Sequence, residues 1–142
     1  VQAKFVKKEN MYSWLITCEF ENKIIANLDL TIAVRMDWHE GFNVYGTKGS
    51  VTGKTYNPWF FKSSEVECWN ELTGLVTRPF EPDGHFYRRQ LESFADVILK
   101  NAPMTGADVD DGTLILRALK ATYDSVHTGG RKIWLKDTEG SL

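Results

Sequence analysis

The residue period changes once along this chain, from two to about 3.6, and that change limits what it can fold into. Tyr12, Trp14, Ile16, Cys18 and Phe20 share one parity, while Met11, Ser13, Thr17 and Glu19 hold the other and are mostly polar. Ile24, Ala26, Leu28, Leu30, Ile32 and Val34 then share a face opposed by Asn27, Asp29 and Thr31. Alternation of this kind marks half-buried strands, and the short polar link at Asn22 and Lys23 predicts an antiparallel hairpin. Val1 to Lys8 alternates more weakly and is expected to pair beside it. Residues 41 to 56 predict a second hairpin about the glycine-rich turn Tyr45-Gly46-Thr47-Lys48-Gly49, with Asn57-Pro58 breaking its return strand. Short strands are expected at Glu65–Trp69 and Leu75–Phe80, and Pro79, Pro82 and Gly84 close the β section.

The last third has helical spacing. Leu91, Phe94, Ala95 and Ile98 form an apolar stripe on a helix from about 85 to 100, with Pro103 beyond its end. A second helix carries Ile115, Ala118, Leu119, Thr122 and Val126 on one stripe, with Leu114 and Ala121 adding a second apolar side. It is therefore expected to pack between the sheet and the first helix. Asp108, Asp110 and Asp111 stand at its start, where carboxylates cap free N–H groups and suit the helix dipole. His127, Gly129, Gly130 and Arg131 supply the stop, and Ile133, Trp134 and Leu135 predict one more short strand. The class is thus α+β, an open and mostly antiparallel sheet with two helices on one face. The chain reads as one domain over residues 1–136, with a mobile tail over 137–142.

Composition excludes some functions. Lys and Arg number 17 against 19 Asp and Glu, so the net charge of −2 leaves no cationic surplus for gripping nucleic acid. No apolar run reaches the roughly 20 residues of a membrane helix. Two cysteines, Cys18 and Cys68, are too few for a disulfide framework and accord with a reducing cytoplasm. Five Trp, five Tyr and eight Phe call for a broad packed sheet face, a subunit interface or a sugar-sized pocket.

Several motifs fail on spacing. Gly49-Ser50-Val51-Thr52-Gly53-Lys54-Thr55 has three residues between its glycines where a phosphate-binding loop has four, and Tyr56-Asn57-Pro58 follows instead of a helix. Asp108-Val109-Asp110-Asp111-Gly112 lacks the alternate acids and closing glutamate of a calcium loop, so a helix cap is expected. His39, His85 and His127 hold no zinc spacing. Glu81 and His85 are four apart, but Pro82 and Gly84 between them oppose a shared helical face. Neither Gly-x-Ser-x-Gly nor Gly-x-Gly-x-x-Gly occurs, so a hydrolase would need dispersed residues and a dinucleotide fold has no fingerprint.

The aromatic clusters are better candidates. Trp38 and His39 precede a strand, Trp59, Phe60 and Phe61 follow a proline, and His85, Phe86 and Tyr87 open the first helix beside Arg88. Rings with polar handles at element ends can stack on sugars and bond hydroxyls, or pack in a core or interface.

Two stretches carry a family resemblance. One is Asn43-Val44-Tyr45-Gly46-Thr47-Lys48-Gly49-Ser50-Val51. The other is Gln90-Leu91-Glu92-Ser93-Phe94-Ala95-Asp96-Val97-Ile98-Leu99, continued by Asp110-Asp111-Gly112, Leu116-Arg117-Ala118-Leu119, Tyr123-Asp124-Ser125 and Thr128-Gly129-Gly130-Arg131-Lys132-Ile133-Trp134-Leu135. In order and content they resemble the C-terminal domain of the glucose–fructose oxidoreductase, inositol dehydrogenase and MocA (Gfo/Idh/MocA) family. The resemblance covers about half the chain in detail and implies a dihydrodipicolinate-reductase-like C-terminal fold. It implies a parent enzyme that moves hydride between NAD or NADP and a sugar, cyclitol or related polyol. An N-terminal Rossmann domain would hold the cofactor, while this domain would wall the substrate pocket and build a homodimer or higher oligomer through its sheet face.

The same resemblance leads to an expectation of incompleteness. The chain holds no Rossmann glycines, no Glu-Lys-Pro segment and no Asp-x-x-x-His pair, the last two being what handles the hydroxyl proton in that family. The expected state is therefore the back portion of a longer enzyme, with no catalytic residue, metal or cofactor of its own and no activity alone. His85, Tyr87 and Arg88, then Trp38 and His39, are the expected substrate contacts. The competing expectation is a free-standing, non-enzymatic α+β module that dimerises or binds a small ligand.

Overall fold

A computed structural model describes residues 1–36, 39–55, 64–79 and 86–138. The α+β class holds, with antiparallel sheets and two helices. The strands are grouped in two sheets, and the chain divides into two compact units, residues 1–35 with 104–142 and residues 36–103.

The first unit is built on three strands, β1 (Gln2–Lys8), β2 (Met11–Glu19) and β3 (Ile25–Ile32), in the order β1-β2-β3. Their register sets Phe5 opposite Trp14 and Trp14 opposite Leu30, and sets Ala3 opposite Ile16 and Ile16 opposite Leu28. Side chains alternate across a pleated sheet, so the apolar parity of all three strands falls on one face. The turn between β2 and β3 closes with Lys23 N–H donating to Phe20 C=O at 3.0 Å. Lys23 takes the left-handed conformation there, with φ +64°.

A long helix, which we call the capped helix, spans Val109–His127. Its Asp108 cap is complete: the side chain accepts from the N–H groups of Asp110 and Asp111 at 2.9 and 3.0 Å, and Asp108 N–H donates to the Asp111 carboxylate at 3.1 Å. Of the three acids read as a cap, Asp108 and Asp111 supply the carboxylates and Asp110 contributes its N–H. The far end closes as a Schellman motif: Gly130 N–H reaches Ser125 C=O at 2.7 Å and Gly129 N–H reaches Val126 C=O at 3.2 Å. Gly129 and Gly130 stand at φ +77° and +88°, the left-handed region where glycine carries no Cβ penalty.

The capped helix packs on β1. Of the expected stripe, Ala118, Thr122 and Val126 are half-buried, while the fully buried residues are Ala121, from the expected second apolar side, and Ser125. Ile115 and Leu119 remain more than half exposed. Small side chains let the helix backbone approach the strand, and a hydroxyl can satisfy an edge N–H where an isoleucine cannot. Ser125 Oγ accepts from Ala3 N–H at 2.8 Å and donates to Arg131 C=O at 2.6 Å. Around it Gln2 Nε2 donates to Gly130 C=O and Lys4 Nζ to Gly129 C=O, both at 2.8 Å. Val1 and Ile133 exchange backbone hydrogen bonds at 2.7 and 2.8 Å. The strand expected at Ile133–Leu135 shrinks to this one bridging pair, and Leu135–Thr138 instead turns as a 3₁₀ helix that meets the capped helix. Of the expected mobile tail, residues 139–142 lie outside the described residues.

The second unit holds β4 (Glu40–Gly46), β5 (Gly49–Thr55), β6 (Ser64–Asn70) and β7 (Leu75–Thr77), in the order β4-β5-β6-β7. The predicted hairpin is β4 and β5, joined through Thr47 and Lys48. The stretch that mimics a phosphate loop is the strand β5 itself. Phe42 lies across the bare Gly53 of its neighbour, so a Cβ on Gly53 would run into the ring. At the β6–β7 turn the Asn70 side chain accepts from Leu72 and Thr73 N–H at 2.9 and 3.3 Å, and Gly74 takes φ +62°. The expected break at Pro58 and the closing residues Pro82 and Gly84 lie outside the described residues. The remaining helix of this unit, Phe86–Lys100, matches the predicted span and ends where Asn101 turns left-handed at φ +53°, two residues before Pro103.

Candidate functional site

Of the five expected substrate contacts, three can be placed. Tyr87 and Arg88 lie in the first turn of the Phe86–Lys100 helix, and His39 directly precedes β4. Trp38 and His85 lie outside the described residues, as do Trp59, Phe60, Phe61 and Glu81. Tyr87 is 59% exposed. Arg88 is held by Glu92 one turn on, at 3.0 Å, an exposed i, i+4 pair that stiffens the helix surface by a few tenths of a kcal/mol. His39 is exposed and makes no hydrogen bond, ion pair or ring contact among the described residues. Arg88 is engaged by Glu92 and His39 stands on another element, so among the described residues no acid–base couple is assembled from them. Among the described residues no three His, Cys, Asp or Glu side chains come together to hold a metal ion. No described helix is long and apolar enough to cross a membrane.

What the fold does assemble is two aromatic surfaces. On the first sheet Phe5 packs on Trp14 with centroids 4.8 Å apart, Tyr12 stacks beside Trp14 at 6.1 Å, and Lys7 Nζ stands 5.2 Å above the Tyr12 ring. Leu28, Leu30 and Ile32 continue this face on β3 and stay about half exposed. The alternation in the sequence already marks it.

On the second sheet the polar parity carries Asn43 and Tyr45 from β4, Ser50 and Thr52 from β5, and Glu67 and Trp69 from β6. Tyr45, Ser50 and Trp69 form one row across the strands, and Asn43, Thr52 and Glu67 form the next. Glu67 is engaged by Arg78 Nε at 2.7 Å. Sequence reading passed over this face because its rings sit on the polar parity. Pairing register, which hydropathy does not report, brings them into rows.

Electrostatics are perturbed at two places, both outside those faces. Lys132, which follows the capped helix, hydrogen-bonds Glu19 at the end of β2, and that bond and charge hold the Glu19 carboxyl below its ordinary value of 4.5. Lys132 also stands 4.4 Å above the Trp134 ring. In the Phe86–Lys100 helix, the hydrogen bond from Lys100 to Asp96 raises the ammonium above its ordinary value of 10.5. A depressed carboxyl stabilises the fold above its unfolded value and loses that contribution as pH falls through the folded one. Glu19→Gln should therefore remove part of the acid sensitivity. Urea midpoints taken from about pH 6 to about pH 3 should fall less in the variant, and parallel profiles would refute the coupling. On the alkaline side the Lys100 contribution is present below 10.5 and fades as pH rises through the raised value.

Compared with family models, curated proteins and solved structures, the chain matches none.

Proposed function

We propose that this chain is the substrate-pocket and oligomerisation domain of an NAD(P)-dependent oxidoreductase of the Gfo/Idh/MocA kind, acting on a sugar, cyclitol or related polyol. What supports the reading is the position of the resembling motifs within the elements. Gly46-Thr47-Lys48-Gly49 makes the β4–β5 turn, Phe94-Ala95-Asp96 sits mid-helix, Asp110-Asp111-Gly112 opens the capped helix, and Ser125 to Gly130 ends it. Each motif does local structural work at the point in the order where the resemblance requires it.

In this reading the hydride chemistry belongs to a nicotinamide held elsewhere, and this chain supplies position and shape. Tyr87, Arg88 and His39, with Trp38 and His85, are its pocket contacts. The partly exposed apolar face of Phe5, Leu28, Leu30 and Ile32 supports assembly through the sheet. That same face favours the second reading, a free-standing dimerisation module with no enzyme attached.

One comparison separates the two. The isolated chain should reduce neither NAD nor NADP with any member of a polyol panel, whereas the product of the full reading frame should do so. Turnover by the isolated chain would overturn the division of labour. A full product lacking both a Gly-x-Gly-x-x-Gly loop and polyol activity would leave the module.

A further inference from the structure

The three-stranded sheet has two edges, and they are treated differently. The outer side of β1 is capped at its start, where Ala3 N–H donates to Ser125 Oγ and the preceding Val1 bonds Ile133, and the rest of the strand carries Lys4, Lys7 and Lys8. Among the described residues none donates or accepts a hydrogen bond on the outer side of β3. Nor does its sequence protect it. Ile25-Ala26-Asn27-Leu28-Asp29-Leu30-Thr31-Ile32 contains no proline, lysine, arginine or glycine, and Asp29 is its only charge. Folded proteins blunt long edges with such residues, because an open ladder pairs with the next strand it meets. The other two edge strands are poorer templates: β7 has three residues, and β4 carries Gly41 and Gly46.

The backbone directions on β3 follow from the far edge. Ala3 N–H points outward to Ser125, so its opposite number Ile16 directs its own backbone groups toward β3 and exchanges hydrogen bonds with Leu28. Direction alternates along a strand, which leaves Ile25, Asn27, Asp29 and Thr31 with both backbone groups facing out.

We propose that β3 pairs antiparallel with β3 of a second copy of this chain, about a two-fold axis at Leu28. The charge pattern selects this register. Centring on Asp29 would set the two carboxylates directly opposite each other, and centring on Asn27 would waste the Thr31 end of the strand. Centring on Leu28 pairs Ile25 with Thr31 and Asn27 with Asp29 of the other copy, using every outward group. Asn27 is suited to the pairing, because its Oδ1 already accepts from Thr17 at 2.9 Å and its amide N–H groups remain to meet a carboxylate. On the opposite face Leu28 meets its own copy and Ala26 meets Leu30, so the two apolar faces become continuous across six strands. This inference names the strand through which the assembly of the proposed function would occur. It does not depend on the hydride chemistry.

The test uses the 142-residue chain with Cys18 and Cys68 changed to Ala, so that no native thiol interferes. At the centre of the pairing, Leu28 faces its copy with Cα atoms about 4.5 Å apart, inside the roughly 4.4–6.8 Å a disulfide spans. Leu28→Cys should cross-link to a dimer under mild oxidation, and Asp29→Cys should not. By sedimentation, Asn27→Asp should weaken the dimer and Asn27→Lys should strengthen it. Each changes two cross-strand pairs, for a shift of about two- to thirty-fold in dissociation constant. Opposite signs at one position are not produced by general unfolding. A chain that stays monomeric at all concentrations overturns both this pairing and assembly through the sheet. A dimer indifferent to both Asn27 variants, with Leu28→Cys and Asp29→Cys linking equally, overturns the edge pairing and leaves assembly through the apolar face. Edge capture of an unrelated strand by a monomeric chain also overturns the proposal.

Discussion

Ser125→Ala should be the most damaging single-atom deletion in this protein, lowering stability by about 2–4 kcal/mol. The hydroxyl is wholly buried and serves two backbone groups at once, Ala3 N–H and Arg131 C=O. Ala3 is itself 1% exposed, so water cannot replace the lost acceptor. Each stranded group costs about 1–3 kcal/mol, and the alanine recovers almost nothing from a site already filled by small residues. Ser13→Ala is the control. Its hydroxyl bonds Thr31 at 3.0 Å in a partly buried place, and its loss should cost no more than about 1 kcal/mol. Urea unfolding of the two variants, with hydrogen exchange at Ala3, reads the difference. Equal destabilisation by both would remove Ser125 from its role as the clasp between strand and helix.

Gly49→Ala should cost about 2 kcal/mol or more, by a different route. Thr47 and Lys48 keep negative φ, so the unusual conformation of the hairpin falls on Gly49 at φ +154°. An added Cβ would overlap the backbone carbonyl of Trp69 on β6, and a carbonyl within a ladder cannot rotate aside as a side chain can. Faster hydrogen exchange at the β5 and β6 amides is the expected signature. The nearby Gly74→Ala shares the positive φ but meets no atom within 4 Å, so it should lose only the conformational part, about 1 kcal/mol. Identical losses at the two glycines would show that the close approach to Trp69 contributes nothing.

The two glycines show where sequence reading reaches its limit. That Gly46-Thr47-Lys48-Gly49 makes a turn is legible, because glycines between alternating runs admit few alternatives. That Gly49 cannot carry a methyl group is not, because Trp69 is twenty residues away and only pairing brings its carbonyl there. The capped helix divides in the same way. Asp108, Asp111 and Gly129 declare its ends through local chemistry, and both ends fall where expected. Its inward side goes to Ala121, which lies on the expected second apolar side, and to Ser125, because a strand edge rewards a hydroxyl that a hydropathy stripe passes over. The expected contacts Tyr87, Arg88 and His39 are legible only as residue types, and the fold puts the first two in one helix turn and His39 at the start of a strand.

The sequence by itself located the seven strands that form, the β2–β3 and β4–β5 turns, two helices with both ends of the second, and the apolar parity of β2 and β3, while the eighth strand it favours at Ile133–Leu135 gives way to a 3₁₀ helix. These depend on neighbours a few residues apart, and such neighbours are present in any window of the chain. Tertiary structure alone decided the division of the strands into two sheets, the rows on the polar face of the second, and the clasp that caps the start of β1 at Ala3. Those depend on which distant segments meet, and hydrogen-bond direction and close approach settle that at a precision that residue hydropathy does not carry.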